Sequence, residues 1–121
     1  MKILTILALS GLGGGLGAMC RVGSGLIISR LLLANFAYTT LFVNILGSFL
    51  IGIFMAMKMG EGARIFLIAG FCGGFTTFSS FSYESLLFLQ NGEMFKFILN
   101  LGLNFIICLL FCYIGLLLFR G

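Results

Sequence analysis

Four long stretches of this chain carry no charged residue: 3–20, 31–57, 65–83 and 97–119. A spanning helix needs roughly 20 mainly apolar residues, about 30 Å at 1.5 Å per residue, so each stretch has the length of one membrane crossing. In lipid a backbone satisfies its own N–H and C=O groups only as a helix or a closed barrel, and apolar runs of this length read as helices. The expected fold is an all-α membrane protein. Four transmembrane helices are placed at about 3–30, 38–58, 63–90 and 95–119, forming one domain over residues 1–121. Lys2 followed by an apolar run resembles a leader peptide, but the apolar pattern resumes after Arg21, so the segment is read as the first span.

Composition narrows the chemistry. Hydrophobic residues make up 61% of the chain and charged residues 8%, against about 25% charged in a soluble domain, so no separate soluble domain is expected. There is no His and no Asp, which removes a Ser-His-Asp triad and an imidazole metal site, and no enzyme is expected. The net charge of +4 is too sparse for a nucleic-acid patch and fits loop charges at the ends of spans. Gly13, Gly15 and Ala18 match a dinucleotide-binding fingerprint, but that motif needs a preceding strand in a βαβ unit, so no nucleotide is expected. Cys20, Cys72, Cys108 and Cys112 lie in apolar segments without a C-x-x-C pattern and read as buried thiols.

The same glycines give small-xxx-small spacings, Gly11/Gly15 and Gly13/Gly17, repeated at Ser48/Gly52 and Gly70/Gly74. Such spacings let helix backbones approach closely in lipid. Lys2, Lys58, Arg64 and Arg120 fall on one side of the four-span layout, and Arg30 and Lys96 on the other, with Arg21 assigned to neither. This weak cation bias is compatible with insertion in both orientations. Four short helices enclose little space, so an oligomer is expected, an antiparallel homodimer being one form.

The third span is unusual between Gly70 and Glu84. Gly73 and Gly74 precede Thr76, Thr77, Ser79, Ser80 and Ser82 at mid-membrane depth. Glycine is poor in helix interiors and Ser/Thr hydroxyls compete for backbone bonds, so a break in the third helix is expected here. Irregular backbone at that depth is tolerated where it is buried in protein or lines a hydrated cavity, and transport proteins use such breaks to bind ions. A Ser/Thr-rich contact between helices is the plainer alternative. Phe75, Phe78 and Phe81 recur every third residue, as a stripe along one side of the helix. Ring edges carry partial positive charge, and with hydroxyl and amide donors they suit an anion. Asn44 in the second span, and Asn100, Asn104, Cys108 and Cys112 in the fourth, add a mildly polar face that reads either as interhelical bridging or as part of an ion path.

Three segments together resemble one family. Gly13 to Arg21 is similar to a G-G-x-x-G-A-x-x-R signature, Thr40 to Ser48 to T-x-x-V-N-x-x-G-S, and Gly70 to Glu84 to G-F-x-G-G-x-T-T-F-S-x-F-x-x-E. These are motifs of the bacterial fluoride channel family (Fluc, also called CrcB). The resemblance implies a dual-topology antiparallel homodimer in the bacterial inner (plasma) membrane, with two fluoride pores. It implies pore phenylalanines at Phe78 and Phe81, a pore asparagine at Asn44, and hydroxyl positions at Ser79, Ser80 and Ser82. It further implies a structural sodium ion at the dimer interface, held by the backbone carbonyls of Gly73 and Thr76 from each subunit. Arg21 and Glu84 match family positions, the role of Glu84 being open. The family's fourth-helix Ser/Thr track stands here as Asn104, Cys108 and Cys112, and Cys is a weak donor.

The function implied is passive export of fluoride, which enters as the neutral acid, ionises in the cytoplasm and leaves down its electrochemical gradient. The alternative is a proton-coupled cation or drug antiporter, also small and four-helical. That chemistry wants a carboxylate in the first helix, and the first span has none.

Overall fold

The structure, a computed structural model, describes residues 1–32 and 36–120. Four helical spans run Ile3–Leu32, Ala37–Ala56, Glu61–Gln90 and Met94–Phe119, all long and apolar enough to cross a membrane. The first helix runs two residues past the expected 30, and the second stops at Ala56, two residues short of the expected 58. The third and fourth spans meet in a tight turn. Gly92 has φ 72°, its N–H bonds the Leu89 carbonyl at 3.2 Å, and the Glu93 N–H reaches back to Phe88 at 2.8 Å. This is a Schellman closure, which needs the left-handed conformation that glycine adopts without strain.

The spans associate in two main pairs, the first along the first half of the third, and the second along the C-terminal half of the fourth. Glycine permits both approaches. A Cβ on Gly13 or Gly17 would collide with the backbone of Phe66 or Phe71, and one on Gly74 with the backbone of Gly14. Gly52 and Gly115 play the same part between the second and fourth spans, against Cys112 and Phe49. Close backbone contact is the main source of helix association in lipid. Of the two first-span glycine pairs, Gly13/Gly17 is used inside the chain, whereas Gly11 and Gly15 face open space. Most other large apolar side chains point outward, leaving a small core that includes Val43, Phe75 and Phe81.

The third and fourth spans both depart from regular α-helix. In the third, a π-helical stretch Ile65–Cys72 leads into Gly73–Phe75. Thr76 (φ −86°, ψ 157°) and Thr77 (φ −148°, ψ 115°) are then extended before helix Phe78–Gln90 begins. The fourth carries a π-helical stretch Leu103–Ile107 between Met94–Gly102 and Cys108–Phe119. Such π-turns redirect the side chains that follow them. The expected stripe of three phenylalanines is corrected here. Phe75 lies before the extended pair and stacks on Phe71 at 5.6 Å, while only Phe78 and Phe81 share a helix and a ring contact, at 5.4 Å.

Candidate functional site: two cavities around Thr77

The backbone groups released at Thr76 and Thr77 can be followed one by one. The Thr76 N–H and hydroxyl both donate to the Cys72 carbonyl, at 3.0 and 2.9 Å. The Thr77 N–H, which in a continuous helix would reach Gly73, donates instead to Asn44 Oδ1 at 2.8 Å. Asn44 Nδ2 returns a bond to the Thr77 carbonyl at 3.2 Å. The Gly74 carbonyl accepts from Arg21 Nε at 3.1 Å. The Thr77 hydroxyl oxygen caps the next helix by accepting the Ser80 N–H at 3.2 Å, as expected for Thr at an N-cap. The carbonyls of Gly73, Phe75 and Thr76 receive no backbone donor among the described residues. Orphaned carbonyls in a polar setting are hard-cation ligands.

Thr77 lies in the wall between two cavities. The first, about 610 Å³, is lined by Asn44, Ser48, Cys72, Gly73, Thr76, Phe78, Phe81, Asn104, Cys108 and Cys112, among others. Phe81 is buried, with its ring perpendicular to Phe105 at 5.6 Å, whereas Phe78 is 69% exposed. The second cavity, about 470 Å³, is lined by Arg21, Thr39, Thr40, Ser80 and Glu84, with Ser29 and apolar neighbours. There the Thr40 hydroxyl donates to Glu84 Oε2 at 2.7 Å, while Oε1 is buried with no partner among the described residues.

The residues expected from sequence therefore fall into three groups. Asn44, Phe78, Phe81, Asn104 and Cys108 share the first cavity with Gly73 and Thr76. Arg21, Ser80 and Glu84 line the second. Ser79 and Ser82 are exposed and line neither; the Ser82 hydroxyl is spent on the Phe78 carbonyl at 2.9 Å. Thr40 and Thr77 line the cavities but are not among the site residues expected from sequence. Each is a hydroxyl in an apolar span, the same signal that drew attention to the neighbouring serines. Among the described residues, no group of three or more Cys or Glu side chains is placed to hold a metal.

Four spans, a third span with extended residues at its middle, and cavities lined by phenylalanine, amide and hydroxyl side chains among apolar ones define a small multi-pass membrane protein. Comparison with known proteins gives the family. Residues 8–116 match the family described as "CrcB-like protein, Camphor Resistance (CrcB)". The chain is 48% identical over 120 residues, 96% of its length and 98% of the relative's, to a protein of Campylobacter lari named "Fluoride-specific ion channel FluC". It is 39% identical over 122 residues to one of the same name from Campylobacter jejuni (strain 81-176), covering 98% of this chain and all of that one. A Thermus thermophilus protein of that name is 52% identical over 93 residues, 73% of this chain and 74% of the relative. The chain belongs to the CrcB family.

Proposed function

We propose that this protein is a fluoride-selective channel of the bacterial inner membrane, exporting cytoplasmic fluoride passively. The observation that carries the reading is the first cavity: Phe78 and Phe81 in ring contact beside the Asn44 amide, at the point where the third span turns extended. Its relatives' shared name, fluoride-specific ion channel, supplies the substrate. Nothing in the comparisons favours the antiporter alternative.

A fluoride ion leaving water must recover its hydrogen bonds or remain in solution. Phenyl ring edges offer partial positive charge, and the Ser48 hydroxyl, the Cys108 thiol and, beyond Thr77, the Ser80 hydroxyl offer donors. No Lys or Arg lines the first cavity, so an ion there meets no full charge that would hold it against release. Arg21 lines the second, where a cation would draw the anion toward Thr77.

Assembly as an antiparallel dual-topology homodimer is part of the proposal. Phe78, Gly73 and Ser79 are exposed in the single chain, beside the first cavity or its edge, and a second copy would cover them. The unspent Gly11/Gly15 face and the weak loop-charge bias agree with that assembly. A sodium ion at the dimer interface is also proposed. The residues fit it: among the described residues the Gly73 and Thr76 carbonyls have no backbone donor, because the Thr77 N–H goes to Asn44 and the Ser80 N–H to the Thr77 hydroxyl. The ion would supply positive charge at the centre of the assembly, and Gly73 and Thr76 would hold it.

Expression in a bacterium stripped of its own fluoride exporter tests the reading in cells. Growth in fluoride-containing medium is expected to return with this chain and not with its Phe81→Ile variant. Equal sensitivity with and without the chain contradicts it.

A further inference from the structure

Asn44 is joined to Ser85 by side chains alone. Asn44 Nδ2 donates to Asn104 Oδ1 at 3.0 Å as well as to the Thr77 carbonyl. Asn104 Nδ2 donates to the Asn100 side-chain oxygen at 3.1 Å and to the Asn100 carbonyl at 2.9 Å. Asn100 Nδ2 donates to Ser85 Oγ at 2.9 Å. Asn100, Asn104 and Ser85 are all buried, at 7%, 8% and 4% exposure.

The polarity of this chain has one solution. The Thr77 backbone N–H can only donate, so Asn44 must turn its oxygen toward it and its nitrogen toward Asn104. Every amide downstream is then oriented in turn. An Asn amide has two N–H groups, and the two bonds from Asn44 and the two from Asn104 exhaust both inventories. Asn104 therefore has no N–H left for an anion, although it borders the cavity. Asn44 can offer one only by letting go of Thr77 or Asn104.

We infer that Asn104, Asn100 and Ser85 are positioning residues, a buried relay that locks Asn44 onto both backbone groups of Thr77 and so holds the extended backbone between the two cavities. The assignment of Asn104 changes from ion ligand to the second link of this clasp. Without it Asn44 is free to rotate, and the Thr77 N–H can return to the Gly73 carbonyl one helical turn back, closing the irregular backbone. The consequence for flux rests on the fluoride-channel reading; the clasp itself does not.

Amide hydrogen exchange at Thr77, read by NMR on the full chain in lipid nanodiscs, tests the clasp independently of transport. Asn104→Leu cuts the relay at its centre. Ser85→Ala, outside both cavities, removes its last acceptor and is the milder variant should the first not fold. The Thr77 N–H is expected to exchange about tenfold faster or more in Asn104→Leu, and less so in Ser85→Ala, with Ile53 and Leu50 amides unchanged. The Asn44 side-chain amide resonances are expected to move in both. Wild-type Thr77 protection and unmoved Asn44 resonances in both variants would overturn the inference. Fluoride efflux by the wild type equal to that of empty vesicles would overturn the channel reading and leave the clasp standing on the exchange data.

Discussion

The Asn44 side chain bonds Thr77 at both backbone groups, accepting the N–H at 2.8 Å and donating to the carbonyl at 3.2 Å. An amide side chain thus takes the place of the helical partners that an extended residue gives up. Because Thr77 borders both cavities, this one contact ties the second span to the point where an ion would pass.

Replacing Asn44 separates its two halves. Asn44→Ala leaves the Thr77 N–H and the Asn104 oxygen unpaired at partly buried sites, each lost partner costing about 1–3 kcal/mol. Asn44→Asp keeps the acceptor for the Thr77 N–H but loses both donors and adds negative charge. Both variants are expected to lower fluoride efflux by about tenfold or more, with Asn44→Asp retaining more Thr77 protection. Efflux recordings paired with thermal melts check this.

Phe81→Ile removes a buried ring in contact with Phe78 and Phe105. The substitution keeps an apolar side chain in the core but no ring edge, so fluoride flux is expected to fall sharply while the protein stays monodisperse by size-exclusion chromatography. Normal conduction by a well-folded variant would remove Phe81 from the path.

The two first-span glycine pairs make opposite predictions within one helix. Gly17→Ala forces a Cβ against the Phe71 and Phe75 backbone and is expected to destabilise the fold by about 1–3 kcal/mol. Gly15→Ala meets nothing within 4 Å inside the chain, so a loss of assembly in that variant would locate the contact with a second copy. Melting temperature and oligomeric state of the two variants, measured side by side, distinguish these effects.

Thr40 provides the one hydrogen bond to the buried Glu84 side chain among the described residues. Thr40→Val leaves both carboxyl oxygens without a partner and is expected to cost about 1–3 kcal/mol. Adding Glu84→Leu should return part of that loss, since removing both polar partners is gentler than removing one. A double-mutant cycle on melting measures the coupling, and strictly additive effects would refute it.

The spans were legible because charge is so scarce that its few positions mark the connections. Their ends shifted by about two residues, as frayed termini do. The phenylalanine stripe misled at Phe75, because a three-residue spacing presumes a continuous helix and Thr76 and Thr77 are extended between Phe75 and Phe78. Ser79 and Ser82 looked equivalent to Ser80, yet a hydroxyl count carries no information on which side of a helix meets a cavity. The pairings Thr40–Glu84 and Asn100–Ser85 join residues 44 and 15 positions apart, and no local pattern announces them. Asn104 was noticed for its polarity, but its role depends on where its N–H groups point. That is a property of the packed fold.

Fluoride efflux from liposomes bearing the purified chain, followed with an ion-selective electrode, addresses conduction directly. Rapid downhill release without ATP or a proton gradient is expected, and weaker release when sodium is replaced throughout by a large organic cation. Release no faster than from protein-free vesicles would contradict the fluoride-channel reading.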